Sequence, residues 1–387
     1  MAEKVGIVAV AQTKFEKSKP LYGRAELVWE VIEDVLQQTG LNFEDRVADG
    51  DGINKVISVS DDFWDGRAIS DMLIHPELGA YKMDVGKVVG DGTLAVYYGA
   101  LSILSGYDIV MVVSHCKESE TDASVIENVS FDPIYLKPLG LDYVIAAALQ
   151  ATRYMDKYGI SPEQCAKAVV RSYSNAQNNP YALGLPVPTA EEILGSNMIA
   201  SPLTKMDLKT RPTDGACAII LANEEKTKKL TDKPVWITGI GNCYDAHYLG
   251  DRELSGCDSL VEAGKRAYKM AGITNPIKEI DFAEISSEAS YQELLWLEGL
   301  GFCDKGDGGK LIAQGSTDMG GEIPVNPSGG VLPGNPVMVS GMVRVAEAVI
   351  QLRKEAGDRQ VPDSKISLAH GVTGACGQAH CVVILSN

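Results

Sequence analysis

The chain has 387 residues, of which 45% are hydrophobic and 22% charged, a composition that excludes wholesale disorder. Its formal net charge of -17 argues against nonspecific binding to nucleic acid or to an acidic membrane, since both need a basic surface. An anionic small ligand needs only a local group of Lys and Arg side chains or a helix N-terminus, so it stays possible.

The eight cysteines are irregularly spaced and form no CxxC pair, so neither a zinc ribbon nor a disulfide framework is predicted, and we expect no metal in this chain. Cys217 and Cys381 lie in apolar runs and are interpreted as buried thiols. The apolar run at the N-terminus is too short for a signal peptide or a membrane span, so we expect a cytoplasmic location.

Strands and helices alternate along the first half of the chain. The hydrophobic spacing predicts a strand at Val5–Ala11, helices at 25–39 and 92–105, and buried strands at Ile109–Val113 and Cys217–Ala222. Gly40 is the expected C-terminal stop of the first helix. The charged stretch that follows, residues 224–234, is predicted to be a linker.

A similar order follows that linker. The predictions are strands at 235–239 and 282–285, helices at 259–271, 291–300 and after residue 335, and a terminal hairpin of 366–370 with 380–385. This alternation favours parallel sheets covered by helices. We therefore predict two similar doubly wound α/β lobes, at residues 1–228 and 235–387.

Several motifs occur in a fixed order: SGYDIVMVVSHCKES, SPLTKMDLKTRPTDGACAIILANEE, EISSEASYQELLWLEGLGF and NPSGGVLPGNP. Each is weak alone, but together the chain resembles the thiolase superfamily, in its archaeal and sterol-carrier-like branch, over nearly its whole length. The resemblance implies the thiolase fold, two lobes layered αβαβα. It also implies an acyltransferase with coenzyme A as a substrate.

The family's nucleophilic cysteine lies at the N-terminus of a helix, where backbone amides and the helix dipole stabilise a thiolate. In this chain that position falls on Val89, and no cysteine precedes Cys116. Asp91 is predicted to be the N-cap of the helix, with a catalytic carboxylate as the alternative. The family's other two catalytic positions fall on Ser286 and Asn335. Serine and asparagine can donate to a thioester oxygen but cannot shuttle a proton near neutral pH, so the standard acyl-cysteine mechanism cannot run from these positions.

Two pairs of residues could supply the missing chemistry. His115 and Cys116 directly follow a buried strand, at the edge where α/β sheets place ligands. His370 and Cys376 belong to a loop whose family counterpart faces the acyl group. For each pair the alternative is a packed thiol and a structural imidazole. Tyrosines offer a third route as acid–base groups, and the candidates are Tyr97, Tyr98, Tyr244 and Tyr248.

The resemblance also places the ligand and partners. Gly90 and Gly92 at the helix N-terminus, Ser328 and Gly329 in the NPSGG loop, and Asn242 are predicted to line the acyl-CoA site. Members of the branch pair with a small protein carrying a zinc ribbon and an OB-fold, and thiolases dimerise through their N-terminal sheets. We therefore expect a homodimer core within a heteromeric complex.

The leading hypothesis for function is thiolytic cleavage of a bulky 3-oxoacyl-CoA. One candidate substrate is benzoylsuccinyl-CoA, cleaved to benzoyl-CoA and succinyl-CoA in the anaerobic degradation of an aromatic compound. The first alternative is retro-aldol cleavage of a 3-hydroxyacyl-CoA, which needs no nucleophile. The second is a catalytically silent scaffold subunit.

Overall fold

The computed structural model describes residues 4–43 and 52–387. The first part of the described chain builds four strands and three helices. In order these are β1 (Val5–Gln12), α1 (Arg24–Thr39), β2 (Lys55–Val59), α2 (Asp62–Asp65), β3 (Asp84–Val88), α3 (Gly92–Leu104) and β4 (Ile109–Lys117). The predicted strand at the N-terminus and the helices at 25–39 and 92–105 are confirmed, with ends shifted by at most one residue.

A largely helical segment follows β4, and hydrophobic spacing predicted no element in most of it. It comprises α4 (Ala123–Val129), α5 (Tyr143–Tyr158), α6 (Pro162–Ala176), α7 (Ala190–Leu194) and the short strands β5 (Met198–Ala200) and β6 (Leu203–Thr204). The chain then returns to the main sheet through β7 (Asp214–Asn223).

The rest of the chain adds four strands and six helices. These are α8 (Glu224–Leu230), β8 (Val235–Tyr244), α9 (Asp258–Ala271), α10 (Pro276–Glu279), β9 (Phe282–Ile285), α11 (Ser290–Gly299), α12 (Gly308–Ala313), α13 (Ser340–Leu352), β10 (Ile366–Thr373) and β11 (Ala379–Ser386). The predicted terminal hairpin is confirmed as β10 and β11, which pair antiparallel. The linker prediction was wrong for residues 224–230, which form α8. The side chain of Asn223 caps α8, and ion pairs four residues apart, such as Glu224 with Lys228, support it.

Nine strands form one mixed sheet in the order β3-β2-β4-β7-β1-β8-β11-β10-β9. Only the neighbours β2 with β3, β2 with β4, and β9 with β10 run parallel; the others are antiparallel. The sequence favoured parallel sheets because alternation reveals the order of elements but not the direction in which each strand runs. The proposed boundary between residues 228 and 235 falls where α8 ends, and it stays a prediction.

Helices α3 and α13 form the centre of the molecule. They pack against each other and against one face of strands from both halves of the chain, around Ala95, Ile103, Val345 and Val349. Helix α1 covers the opposite face of the strands in the first half, and α9 and α11 cover that of the second half. Helix α3 is buried on nearly every turn, and its N-cap, Asp91, is buried as well.

Candidate active site

A cavity lies where α4 and α5 face the loops that follow β3, β9 and β10. Its main chamber has a volume of about 230 Å³, and an adjoining chamber has about 120 Å³. The two chambers share six lining residues: Glu127, Tyr143, Arg211, Glu288, Val372 and Gly374. A larger groove of about 510 Å³ runs along β3 and α3, but no buried carboxylate or thiol lines it. The shared cavity therefore holds the ionisable groups that could do chemistry.

A chain of ion pairs crosses the cavity wall. Arg211 pairs with Glu127 and with Glu288, the latter at 3.4 Å. Lys209 Nζ lies 3.4 Å from the same Glu288 carboxylate and 3.0 Å from Glu118 Oε1. Glu118 also accepts the backbone N–H groups of Thr213 and Val337, so the carboxylate that holds Lys209 is fixed in place. No lining cation is left without an acidic partner among the described residues.

The pKa values of the two cavity glutamates are shifted in opposite directions. Burial raises the pKa of Glu127, and neighbouring Arg211 only partly offsets this effect. Burial also acts on Glu288, but the charges of Lys209 and Arg211 outweigh it and lower the pKa of that carboxyl. Glu127 is therefore the better proton acceptor, whereas Glu288 stays ionised and holds the two cations.

Tyr143 brings a phenol to both chambers from the first turn of α5. Asp142 caps this helix by accepting the backbone N–H of Ile145 at 2.8 Å. This cap fixes the start of α5 and therefore the position of Tyr143. The Tyr143 hydroxyl lies 3.3 Å from Ser130 Oγ, and burial raises the pKa of Tyr143 to about 12. The phenol thus keeps its proton at neutral pH and can donate it within the cavity.

Asp91 occupies the N-terminus of α3, at the edge of the smaller chamber. Its buried carboxylate accepts the backbone N–H groups of Thr93 at 2.9 Å and Gly341 at 2.8 Å, so the predicted N-cap is confirmed. Burial raises its pKa to about 6. A Cβ on Gly341 or Gly371 would lie 1.8 or 1.9 Å from Asp91 Oδ1. The carboxylate therefore fills the space between α3, α13 and β10.

The residues predicted to surround the N-terminus of α3 do not all line the same cavity. Gly90 lines the smaller chamber beside Asp91, whereas Gly92 packs tightly against Met342. Val89 is 56% exposed and lines the outer groove. Asn242 and His380 line a small cavity behind Asp91, of about 10 Å³, which is room for one water molecule.

Of the proposed nucleophiles, only Cys376 lines the main cavity. Burial raises the pKa of its thiol to about 12, and no cation is close enough to reverse that. Cys116 is buried within β4, and burial raises its pKa well above the usual value. Its neighbour His115 points to the opposite side of the strand, where Nε2 lies 3.5 Å from Asp65 Oδ1. Neither residue of this pair lines the cavity.

His370 lies behind the cavity wall rather than in it. Its Nε2 is 2.8 Å from His380 Nδ1, and the two rings pack against Trp296. Burial lowers the pKa of His370 well below its usual value, so this imidazole is neutral. Catalytic roles for His370 and Cys376 stay predictions, but the structure separates the imidazole from the cavity that the thiol lines.

The NPSGG loop is bound to its surroundings by buried polar contacts. Asn335 Nδ2 donates to the carbonyl of Gly330 at 3.0 Å, and its Oδ1 accepts from Arg344 Nη2 at 3.1 Å. Ser328 Oγ donates to Glu284, and Gly329 lies close to the backbone of Ala176. All polar atoms of the Asn335 amide are thus used within the protein.

Ser286, at the other vacated family position, is buried beside the backbone of His370. Its hydroxyl has no hydrogen-bond partner within the described part of the chain, and it does not line the cavity chambers. The roles proposed for Ser286, Asn335, Ser328, Gly329 and Asn242 accordingly stay predictions.

Sequence reasoning missed four of the residues that define the cavity: Glu127, Tyr143, Lys209 and Arg211. Lys209 and Arg211 lie within the SPLTKMDLKTRPTDGACAIILANEE motif, and that position was the one signal available. Glu127 and Tyr143 belong to the segment after β4, which carries none of the recognised motifs. Only the fold brings them to Arg211.

Within residues 4–43 and 52–387, no group of three or more His, Cys, Asp or Glu side chains is arranged to hold a metal. In the same ranges no helix is both long enough and apolar enough to cross a membrane.

Comparison with known proteins agrees with this architecture. Residues 242–387 match the thiolase C-terminal domain-like family. The acetyl-CoA acetyltransferase of Methanothermobacter thermautotrophicus is 32% identical over 386 residues, covering 97% of each chain. Benzoylsuccinyl-CoA thiolase subunit BbsB of Thauera aromatica is 33% identical over 232 residues, or 59% of this chain and 60% of BbsB. Among solved structures, the Ltp2-ChsH2(DUF35) aldolase superposes with a TM-score of 0.83 at 24% identity, covering 99% of this chain and 97% of that one.

The fold and these relatives define a thiolase-fold protein of the acyl-CoA acetyltransferase type. This chain belongs to the thiolase superfamily, as its motifs indicated.

Proposed function

We propose that this protein cleaves a carbon–carbon bond of a 3-hydroxyacyl-CoA by a retro-aldol reaction, without a covalent acyl-enzyme. The observation that carries the proposal is the carboxylate of Asp91 at the N-terminus of α3. The amides of Thr93 and Gly341, which could have stabilised a thiolate, already bind this carboxylate. A second anion beside it would be repelled.

The cavity supplies the groups that retro-aldol cleavage needs. Glu127 accepts the proton of the substrate's Cβ hydroxyl, and the Cα–Cβ bond breaks as the Cβ–O bond becomes a carbonyl. The bonding electrons move into the thioester as an enolate, whose oxygen accepts a hydrogen bond from the Tyr143 hydroxyl. Glu127 then returns this proton to Cα, giving a shorter acyl-CoA and a free aldehyde or ketone. The reaction is balanced, and it consumes no free CoA.

Thiolysis of a 3-oxoacyl-CoA is the second candidate function. Its support is membership in a family whose relatives are named acetyl-CoA acetyltransferases, together with a cysteine, Cys376, in the cavity wall. The similarity to BbsB keeps benzoylsuccinyl-CoA among its candidate substrates. The high pKa of the Cys376 thiol argues against it, because the thiolate is the nucleophile.

We further propose the heteromeric assembly that the sequence suggested. The name of the superposed aldolase includes a DUF35 protein, and BbsB is named as a subunit. Several apolar side chains in or next to the segments that line the cavity are exposed, among them Val125, Ile145 and Phe63. A small zinc-ribbon and OB-fold partner would cover them.

Strand β3 has a neighbour on one side only in the described sheet, which supports a homodimer through that edge.

The test uses 3-hydroxy-3-phenylpropanoyl-CoA, with the protein alone and co-expressed with a zinc-ribbon/OB-fold partner. Benzaldehyde and acetyl-CoA should form in equal amounts without added CoA. Glu127→Gln and Tyr143→Phe should each lower kcat at least 100-fold, as loss of an acid–base group does. Glu163→Gln and Tyr158→Phe, which lie outside the cavity, are the matched controls and should retain turnover. Unchanged turnover in both cavity variants would contradict the proposed roles, and no product from any hydroxy or oxo substrate would favour the scaffold alternative.

A further inference from the structure

The charges around the cavity set a limit on the acyl chain that can enter it. Five acidic side chains line the two chambers: Asp61, Asp91, Glu127, Asp142 and Glu288. Two basic side chains, Lys209 and Arg211, line them as well. Five acids against two bases leave a formal excess of three negative charges when all are ionised.

Neither base is available to receive a carboxylate from the substrate. Arg211 pairs with Glu127 and Glu288, and its guanidinium also lies 5.9 Å from the ring centre of Trp64. Lys209 is buried between Glu118 and Glu288. A substrate anion would have to break one of these pairs and leave a buried glutamate without its partner, which is costly.

Much of the remaining wall is apolar. In the smaller chamber Trp64, Ile126, Val337 and Met338 face the space beside Glu127 and Tyr143. In the main chamber the apolar lining is Val144, Ala147, Leu208, Ala289 and Val372. These surfaces favour a hydrocarbon chain or ring, because burying an apolar group against them removes it from water.

From these charges and walls we infer that the site selects acyl-CoA thioesters whose acyl chain carries no negative charge, and that Glu127 and Glu288 enforce this by occupying both cavity cations. The inference rests on the proposed function for the reaction, but it concerns binding. The phosphates of coenzyme A do not enter into it, since they lie at the far end of the pantetheine arm from the acyl chain. Dicarboxylic chains, including the succinyl-type substrate that the sequence suggested, should be rejected.

The experiment compares hexanoyl-CoA with adipoyl-CoA, which has the same chain length and a terminal carboxylate. Isothermal titration of the protein, alone and with its partner, measures binding without any reaction. Hexanoyl-CoA should bind at least tenfold more tightly than adipoyl-CoA, a difference of about 1.4 kcal/mol. Equal affinity, or tighter binding of adipoyl-CoA, would overturn the inference.

Glu127→Gln removes one acidic partner of Arg211, which makes the guanidinium more available to a substrate carboxylate. The preference for hexanoyl-CoA should therefore fall at least threefold. Glu163→Gln, on the surface of α6, removes the same charge elsewhere and should leave the preference unchanged. A preference that Glu127→Gln does not alter would refute the role given to that residue. Selective binding of hexanoyl-CoA without cleavage of any hydroxyacyl-CoA would reject the proposed function alone, whereas binding of neither thioester would reject both.

Discussion

Asp91 joins a structural and a chemical role in one side chain. As the N-cap of α3 it satisfies backbone amides from two helices, those of Thr93 and Gly341. It does so inside the protein, where burial makes its ionised form costly and raises its pKa to about 6. The ordinary pKa of an aspartate is 3.8, so Asp91 binds a proton more readily in the folded than in the unfolded chain.

Asp91 should therefore make stability depend on pH. Because the folded-state pKa is the higher one, its contribution is fully present below about pH 4 and is lost as the pH rises through 6. A shift of roughly two pKa units corresponds to about 3 kcal/mol. Asp91→Asn, which can still cap the helix, should remove this dependence, so its stability relative to the wild type should improve from pH 4.5 to 7.5. Urea unfolding at both pH values measures this, and a constant difference would contradict it.

The cysteines should be dispensable for turnover. Burial raises the pKa values of Cys376 and Cys116, and only Cys376 lines the cavity. Cys376→Ser and Cys116→Ala should each keep kcat within about threefold of the wild type, since neither thiol takes part in a retro-aldol step. Mass spectrometry after mixing with an acyl-CoA should find no acylated cysteine. A 100-fold loss of kcat in one variant, with its stability unchanged, would identify that cysteine as a nucleophile.

At the scale of elements, a buried ion pair fixes α13 to β9. Arg344 Nη1 lies 2.8 Å from Glu284 Oε2 and 2.8 Å from Ser328 Oγ, and its Nη2 contacts Asn335. One guanidinium thus connects a helix, a strand and the NPSGG loop in the interior. Burial raises the pKa of Glu284 to about 7 even with Arg344 beside it, so this carboxylate depends on its partner.

Removing Arg344 alone should be far more harmful than removing the pair. Arg344→Met leaves the Glu284 carboxylate buried without a cation and should cost about 3–5 kcal/mol of unfolding free energy. The double variant Arg344→Met with Glu284→Leu should recover at least half of that loss, because no charge stays buried. Chemical denaturation of both variants gives the comparison. A double variant as unstable as the single one would show that the ion pair itself holds these elements together.

Restoring the family's histidine should not restore thiolase chemistry. In Asn335 one amide both donates to Gly330 and accepts from Arg344, and an imidazole cannot reproduce this geometry at the same ring position. Asn335→His should lower stability by about 1–3 kcal/mol, the usual cost of an unsatisfied buried polar group. It should give no thiolytic activity with a 3-oxoacyl-CoA and free CoA. Asn335→Asp serves as the control of similar size. Thiolysis by the histidine variant would show that the nucleophile is still present.

These elements also show how far the sequence predicts this protein. The helix of residues 25–39 and the hairpin of 366–385 follow from local hydrophobic spacing, and they are confirmed. The pairing of Glu127 with Arg211 joins residues 84 positions apart, so no local pattern reveals it. Tyr143 reaches the cavity because of where α5 docks. Motifs therefore identified the family, whereas the ionisable groups of the cavity became visible only in the folded chain.

For the whole molecule, two halves of one mixed sheet enclose α3 and α13, and the cavity lies at the end of α3. The resemblance to the family predicts that acyl-CoA binds at this end of α3 and that Val89, Ser286 and Asn335 stand at its three catalytic positions. The helical segment after β4 contributes a carboxylate, Glu127, and a phenol, Tyr143, to the cavity lining. We therefore expect cleavage to need a hydroxyl at Cβ and no nucleophile from the protein.

The most direct test is to supply equal amounts of a 3-hydroxyacyl-CoA and the matching 3-oxoacyl-CoA, with free CoA present, and to follow every product by mass spectrometry. The hydroxy compound should disappear, yielding one shorter acyl-CoA and one free carbonyl compound for each molecule consumed, while free CoA stays constant. Consumption of the oxo compound together with an equal amount of CoA, giving two acyl-CoA products, would contradict this account.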